Sequence, residues 1–253
     1  MSYKAKFSSD NGWNAIDTNI RLVKSGRWTS DGYKFMKMLK RQGANIIIRY
    51  YASSRRSKTV TKEEVRKLSE DGFYFLPVYQ DNARKTSDFS YSKGIQAGKN
   101  ALDFVDYIGQ PDGTTILFAV DTDFSQSEIE KYVVPYFKGV KEVLNGRFRI
   151  GCYGSGLAMD CLKKEDLIEL VWLSMSRGFR GTKKTFEGDE WHMRQIPPDL
   201  KFRGIFYDKN EILLSPREIG AFKFGDEAVD KPVVSKIADG VREFTDYARK
   251  IFD

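Results

Sequence analysis

The chain has 253 residues, 41% of them apolar, 14% aromatic and 30% charged, which excludes disordered and fibrous classes and leaves room for one large globular domain of β/α-barrel size. Its formal net charge of +7 admits an anionic partner such as nucleic acid, a membrane surface or an acidic cell wall, without choosing among them.

The N-terminal stretch MSYKAKFSSDNGWN contains no apolar core of a signal peptide, and no later run is long enough to span a bilayer. The expected location is therefore cytoplasmic, or outside the cell by a route that needs no signal peptide, with no membrane insertion. Short β-branched and aromatic runs then alternate with helix-like segments. Strands are expected at Trp13–Asp17, Asn45–Tyr51, Tyr74–Gln80 and Thr114–Asp121, followed by Arg149–Gly154, Leu170–Ser176, Trp191–Ile196 and Gly204–Asp208. The first four are too continuously apolar for a sheet with one wet face, and the seventh is the most polar.

Helices are expected between them at Asp31–Gln42, Thr61–Asp71, Ser92–Ile108, Ser125–Leu144 and Leu157–Leu167. Thr61 with Glu64 has the spacing of a capping box, and Gly43, Gly72 and Gly109 stand where helices end. Ser176–Asp189 has no helical pattern, and the link between the last two strands is short. The fold class is thus α/β, a single (β/α)8 TIM-type barrel that becomes irregular after strands six and seven. Residues 1–222 form that barrel, with a short helix at Pro216–Phe222. Residues 223–253 form a helical extension, with Ile237, Val241, Phe244, Tyr247 and Ile251 on the face packed against the barrel. Cys152 and Cys161 fit buried free thiols better than a disulfide framework.

Active sites of such barrels lie at the C-terminal ends of the strands. The strands end in Asp17; Arg49, Tyr50 and Tyr51; Tyr79, Gln80 and Asp81; Asp121 with Asp123; Tyr153; Ser174 and Ser176; Gln195; and Asp208 with Asn210 beyond it. Strand ends are wet in any case, so single polar residues there carry little weight, but aspartates from separate strands converge on one mouth when the barrel closes. Asp121 and Asp123, two positions apart, leave the same face of an extended chain. Like charges that close resist joint ionisation, so one carboxyl is expected to hold a proton and serve as an acid while the other stabilises positive charge. Cleavage of a glycosidic bond through an oxocarbenium-like transition state needs that division. The tyrosines and Trp172 offer sugar-stacking faces or ordinary packing.

The order AIDTN, IIIRYY, LPVYQ, FAVDTD, GCYGSG, WLSMS and YDKN resembles bacterial glycoside-hydrolase-like domains related to family 25 lysozymes, over roughly residues 13–222. The resemblance implies a β/α barrel acting on peptidoglycan or a related amino-sugar polymer. It implies Asp123 as general acid, Asp121 as the carboxylate that positions or stabilises the reacting sugar, and Asp17 and Asp208 as supporting carboxylates. Arg49, Tyr51, Tyr79, Gln80, Tyr153, Trp172, Ser174, Gln195 and Asn210 are the expected substrate contacts. The lysozymes carry glutamate where this chain has the shorter Asp123, so an inert barrel that binds cell-wall carbohydrate is the alternative.

No cofactor and no metal are expected. The single histidine, His192, rules out histidine-rich metal sites. Oxygen-ligated Mg²⁺ or Ca²⁺ at the aspartates ranks second to glycosidase chemistry. The glycines match neither a phosphate loop nor a dinucleotide fingerprint, and Ser155 does not sit in a nucleophile elbow. The basic residues are dispersed, which argues against nucleic acid as the partner; salt-dependent affinity indifferent to the aspartates is the mark of that third reading. The sequence leaves the oligomeric state open.

Overall fold

The computed structural model describes residues 12–53 and 57–229. The chain opens with β1 (Ala15–Asp17), followed by a two-stranded ribbon, Val23–Lys24 with Arg27–Trp28, and then α1 (Ser30–Arg41). The Thr29 side chain caps α1 by accepting from the Gly32 N–H at 2.9 Å, and Gly32, Phe35, Met36 and Leu39 recur at helical spacing to form its buried face. β2 (Ile46–Tyr51), α2 (Lys62–Glu70) and β3 (Tyr74–Tyr79) repeat the unit. Thr61 caps α2 as expected, but Glu64 does not complete the box: its carboxylate turns inward and ion-pairs with Arg49.

α3 (Tyr91–Ile108) leads to β4 (Thr115–Ala119). Gln126–Glu128 then runs through a π-helical stretch, Ile129–Val133, into α4 (Val134–Leu144). α3 and α4 meet where neither carries a side chain: a Cβ on Gly94 would stand 1.9 Å from the Tyr136 carbonyl oxygen, and one on Gly139 2.4 Å from that of Tyr91. β5 (Arg149–Gly154), α5 (Gly156–Lys164) and β6 (Leu170–Leu173) follow. The segment after β6 contains a short helix, α6 (Thr182–Glu187), that the sequence pattern did not announce.

β7 (Met193–Phe202) and β8 (Ile205–Ile212) close the barrel, whose strands run in the cyclic order β1 to β8. β1 to β7 are parallel, whereas β8 is antiparallel to both β7 and β1. Two residues, Arg203 and Gly204, link β7 to β8 with φ of 50° and 87°; both values are positive, as a type I′ hairpin turn needs. A link that short cannot return the chain to the start of a parallel strand. The irregularity expected after strands six and seven is thus a β-hairpin in place of the last β/α unit.

Below the barrel, Pro216–Phe222 is a series of turns and not the expected short helix. The Gly220 carbonyl accepts from the Thr115 N–H at 3.0 Å and that of Ile219 from Thr115 Oγ1 at 2.7 Å, while Phe222 pairs backbone to backbone with Phe75. Tying those groups to the strand starts closes the barrel bottom. Cys152 and Cys161 are buried free thiols. No helix among the described residues is long and apolar enough to cross a membrane. The expected helical extension lies outside the described residues.

Candidate active site

The register of β1 against β8 sets Asp17 directly opposite Asp208. Cross-strand neighbours have Cβ atoms about 4.5–5.5 Å apart, so two carboxyl groups share one patch of the barrel interior. Asp17 is 2% exposed. Its Oδ2 accepts from Asn210 Nδ2 at 2.8 Å and Gln195 Nε2 at 3.0 Å, and its Oδ1 from the Tyr50 hydroxyl at 3.2 Å. Two relays hold those donors. The Tyr153 hydroxyl donates to Gln195 Oε1 at 2.7 Å and Trp172 Nε1 donates to Asn210 Oδ1 at 2.9 Å, which turns each amide's N–H₂ toward Asp17.

Asp208 has fewer donors. Gln195 Nε2 reaches its Oδ2 at 3.4 Å, and its other neighbour is a carboxyl group, that of Asp199. Asp199 comes from a β7 bulge: between the Leu200–Tyr207 and Ile196–Lys209 pairs, Pro197, Pro198 and Asp199 oppose Asp208 alone. The prolines have no N–H to offer the ladder, so the strand bows there. Burial, then the charges of Asp17 and Asp199, push the Asp208 carboxyl up to about 8. Burial raises Asp17 as well, opposed by its hydrogen bonds to Gln195, Asn210 and Tyr50. With Asp17 better supplied with donors, the proton the pair retains at neutral pH belongs on Asp208. Burial and the same carboxylates hold the Tyr50 and Tyr153 phenols well above their ordinary range, so both act as donors.

This patch forms one side of a cleft of about 860 Å³ at the barrel mouth. Asp199, Asp208 and Gln195 line it with Tyr50, Tyr153 and Trp172; Gln80, Asp121, Arg84, Lys85 and Lys58 line it from the ends of β2, β3 and β4. β4 stands opposite β8 in the ring of eight, so Asp121 and Asp208 approach the cleft from opposite sides. Asp121 Oδ2 pairs with Arg84 through Nη2 at 2.8 Å and Nε at 2.9 Å, and accepts from Gln80 Nε2 at 3.3 Å.

The structure therefore unites Asp17, Asp208, Tyr153, Trp172, Gln195 and Asn210 in one network and brings Gln80 and Asp121 to the same cleft. Trp172 is edge-packed on Tyr153, with ring centroids 4.7 Å apart, and forms the floor more than an open stacking face. The remaining expected site residues stand elsewhere. Asp123 is not among the residues lining the cleft: it accepts from the Arg180 N–H at 2.8 Å and pairs with Arg180 Nη1 at 2.8 Å, fixing the segment after β6. β4 ends at Ala119, so the two-residue alternation that put Asp121 and Asp123 on one face does not extend to them.

Arg49 and Tyr51 leave β2 on its outer face. Arg49 is fully buried against Glu64, with Nε to Oε1 at 3.2 Å, and Tyr51 stacks on Phe104 and donates to Gln110 Oε1 at 2.9 Å. Tyr50, between them, is the inward residue. Tyr79 donates to Asp81 Oδ2 at 2.7 Å and lines a smaller neighbouring recess of about 240 Å³. Ser174 is buried, and its hydroxyl has no partner among the described residues. His192 is structural: Nδ1 accepts from the Val171 N–H at 3.0 Å, and burial lowers its pKa to about 4. No group of three or more His, Cys, Asp or Glu among the described residues is arranged to hold a metal ion.

Alternation along IIIRYY was the signal that would have chosen Tyr50 over its neighbours. Arg84 and Lys58, in loops that follow strands, follow from the same mouth rule that found the strand tips. Nothing in the sequence marks Asp199, because the bulge that presents it exists only once β7 and β8 pair.

Two solved structures share this architecture. The Tat-secreted protein Rv2525c of Mycobacterium tuberculosis superposes with a TM-score of 0.66 at 21% identity, covering 82% of this chain and 97% of that one. An uncharacterized B. stearothermophilus protein gives 0.56 at 15% identity, covering 79% and 95%. Among curated proteins, FadG of Bacillus subtilis is 28% identical over 151 residues, and YbfG of the same organism 28% identical over 127. Those matches take in 56% and 47% of this chain but only 26% and 17% of the relatives, so the chain spans about a quarter or less of their length. Residues 37–200, from within α1 to within β7, match the family described as the Rv2525c-like, glycoside hydrolase-like domain, and the chain belongs to that family.

Proposed function

We propose that the protein hydrolyses a glycosidic bond in peptidoglycan or a related amino-sugar polymer, with Asp208 as proton donor and Asp121 as the carboxylate facing it across the cleft. The observation that carries this is the carboxyl group of Asp208, raised to about 8 and lining the cleft, which holds a proton at neutral pH. Glycosidases need such a group at the leaving oxygen and a carboxylate on the other side of the sugar ring. Asp17 serves as a positioning residue: its buried charge beside Asp208 keeps the proton there. Asp123, tied to Arg180, takes no part in the chemistry.

A second reading, an inert barrel that binds wall carbohydrate, draws support from the arginines that already pair with Asp121 and Asp123. Incubating purified protein with peptidoglycan and assaying new reducing ends separates the two. Release by wild type and not by Asp208→Asn supports the hydrolase; co-sedimentation of wild type with the wall and no product over long incubation supports the binder.

A further inference from the structure

The carboxylate proposed to face the sugar is already engaged, since two nitrogens of Arg84 converge on one oxygen of Asp121. Yet the Arg84 side chain is 73% exposed, and an exposed ion pair of this kind is cheaply exchanged. Two further cations line the same part of the cleft. Lys85 adjoins Arg84, and Lys58 lies over the Tyr50 ring at 5.2 Å with its Nζ 2.6 Å from the Gln80 carbonyl oxygen. All three come from the segments after β2 and β3, whereas Asp199 and Asp208 come from the β7–β8 hairpin. Those strands stand on different arcs of the ring, so one part of the mouth carries these three cations among the carboxylates of Asp81, Asp88 and Asp121, while the part lined by the β7–β8 hairpin carries Asp199 and Asp208.

A neutral sugar offers these cations hydrogen-bond acceptors but no opposite charge. We propose that Arg84 anchors an anionic substituent, carboxylate or phosphate, on the bound amino sugar, and that it leaves Asp121 to do so. This rests on the glycan reading above. A guanidinium fork matches either anion in a bidentate contact, and the new pair forms in a cleft from which the ligand excludes water. An acidic glycan thereby frees the Asp121 carboxylate to face the reacting ring, and a neutral glycan leaves it covered. Arg84 thus sets specificity by competition between two anions.

The test is calorimetric titration of the full chain with an N-acetylglucosamine–N-acetylmuramic acid tetrasaccharide, its methyl ester, and chitotetraose with and without a 6-phosphate. Wild type is expected to bind the free acid about tenfold more tightly than the ester, a gap worth roughly 1.4 kcal/mol. A larger gap between the two chitotetraoses would identify phosphate as the preferred anion. Arg84→Gln should erase the gap and Arg84→Lys keep part of it. Asp121→Asn, by removing the competitor, should widen the gap between the acidic sugar and its ester. Equal affinity of acid and ester in wild type, with neither chitotetraose distinguished, overturns the anchor and leaves the glycan reading intact. Loss of acidic-sugar affinity in Asp121→Asn also overturns it. Failure of all four sugars to bind overturns both.

Discussion

Two pairs of aspartates flank the mouth of this barrel, and the protein treats them in opposite ways. Asp17 and Asp208 stand opposite each other in a ladder, the first buried and the second half-buried, and amide and phenol donors serve them. Asp121 and Asp123 stand in a loop, partly exposed, each with its own arginine. Where burial and a like charge act together, a proton must stay. The acid of this site is thus to be sought on the β8 side, although the D-x-D spacing drew attention to the β4 side.

The comparison breaks most directly on two substitutions. Asp208→Asn should lower the rate of reducing-end release by about 10²–10⁴-fold, the usual contribution of a general acid, with the far-UV spectrum unchanged. Asp123→Asn should leave it within a few-fold. The reverse ranking would return the acid to the loop. The pH profile is the next test. Because Asp208 must be protonated, the rate should fall as pH rises through about 8. Asp17→Asn removes the neighbouring negative charge, so it should move that limb to lower pH; Asp121→Asn should lower the rate without moving it.

Stability carries the same asymmetry. A carboxyl whose folded pKa lies near 8, against about 3.9 unfolded, binds a proton in the native state that the unfolded chain releases. Its contribution is therefore fully present below about pH 4 and lost as pH rises through about 8. Urea midpoints of wild type should decline across that window more steeply than those of Asp208→Asn. At fixed pH, Asn210→Ala removes a donor from buried Asp17 and the acceptor of Trp172 Nε1, at an expected cost of about 1–3 kcal/mol. An unchanged midpoint would mean that the relay does not hold Asp17.

Much of this was legible in the sequence, and the rest was hidden for identifiable reasons. Continuous apolar runs mark the first four strands most clearly, because strands buried on both faces have no polar alternation to lose, and the more polar Trp191–Ile196 is the least clearly marked. Strand tips point to Asp17, Tyr153, Gln195, Asp208 and Asn210, which meet, and Trp172 joins them from within its strand. What a tip cannot give is its face. In β2 the mouth receives Tyr50, while Arg49 and Tyr51 serve the outer layer. The direction of β8 was obscured by Pro197–Pro198, which puts the end of strand seven at Ile196. A β-ribbon tolerates prolines at a bulge, so β7 continues to Phe202 and leaves room only for a turn. Asp123 was put on one face with Asp121 because a two-residue period was carried past the end of the strand that creates it.

The smallest effect expected is at Arg180, and it bears on what Asp123 is for. Arg180 is half exposed, and its ion pair with Asp123 is worth about 0–1 kcal/mol by the standard of surface pairs. Its backbone is engaged as well: the Arg180 carbonyl accepts from the Leu157 N–H at 2.8 Å and its N–H donates to Asp123 at 2.8 Å, so the loop after β6 is pinned to the start of α5 on one side and to the loop after β4 on the other. Arg180→Gln keeps the backbone contacts and should leave the urea midpoint almost unmoved. Asp123→Ala loses both the ion pair and the acceptor for that N–H, and should increase amide hydrogen exchange around Gly178–Gly181 selectively. If instead both variants lose activity in parallel with the exchange of that loop unchanged, Asp123 acts on substrate after all, and the two aspartate pairs are less different than their surroundings make them.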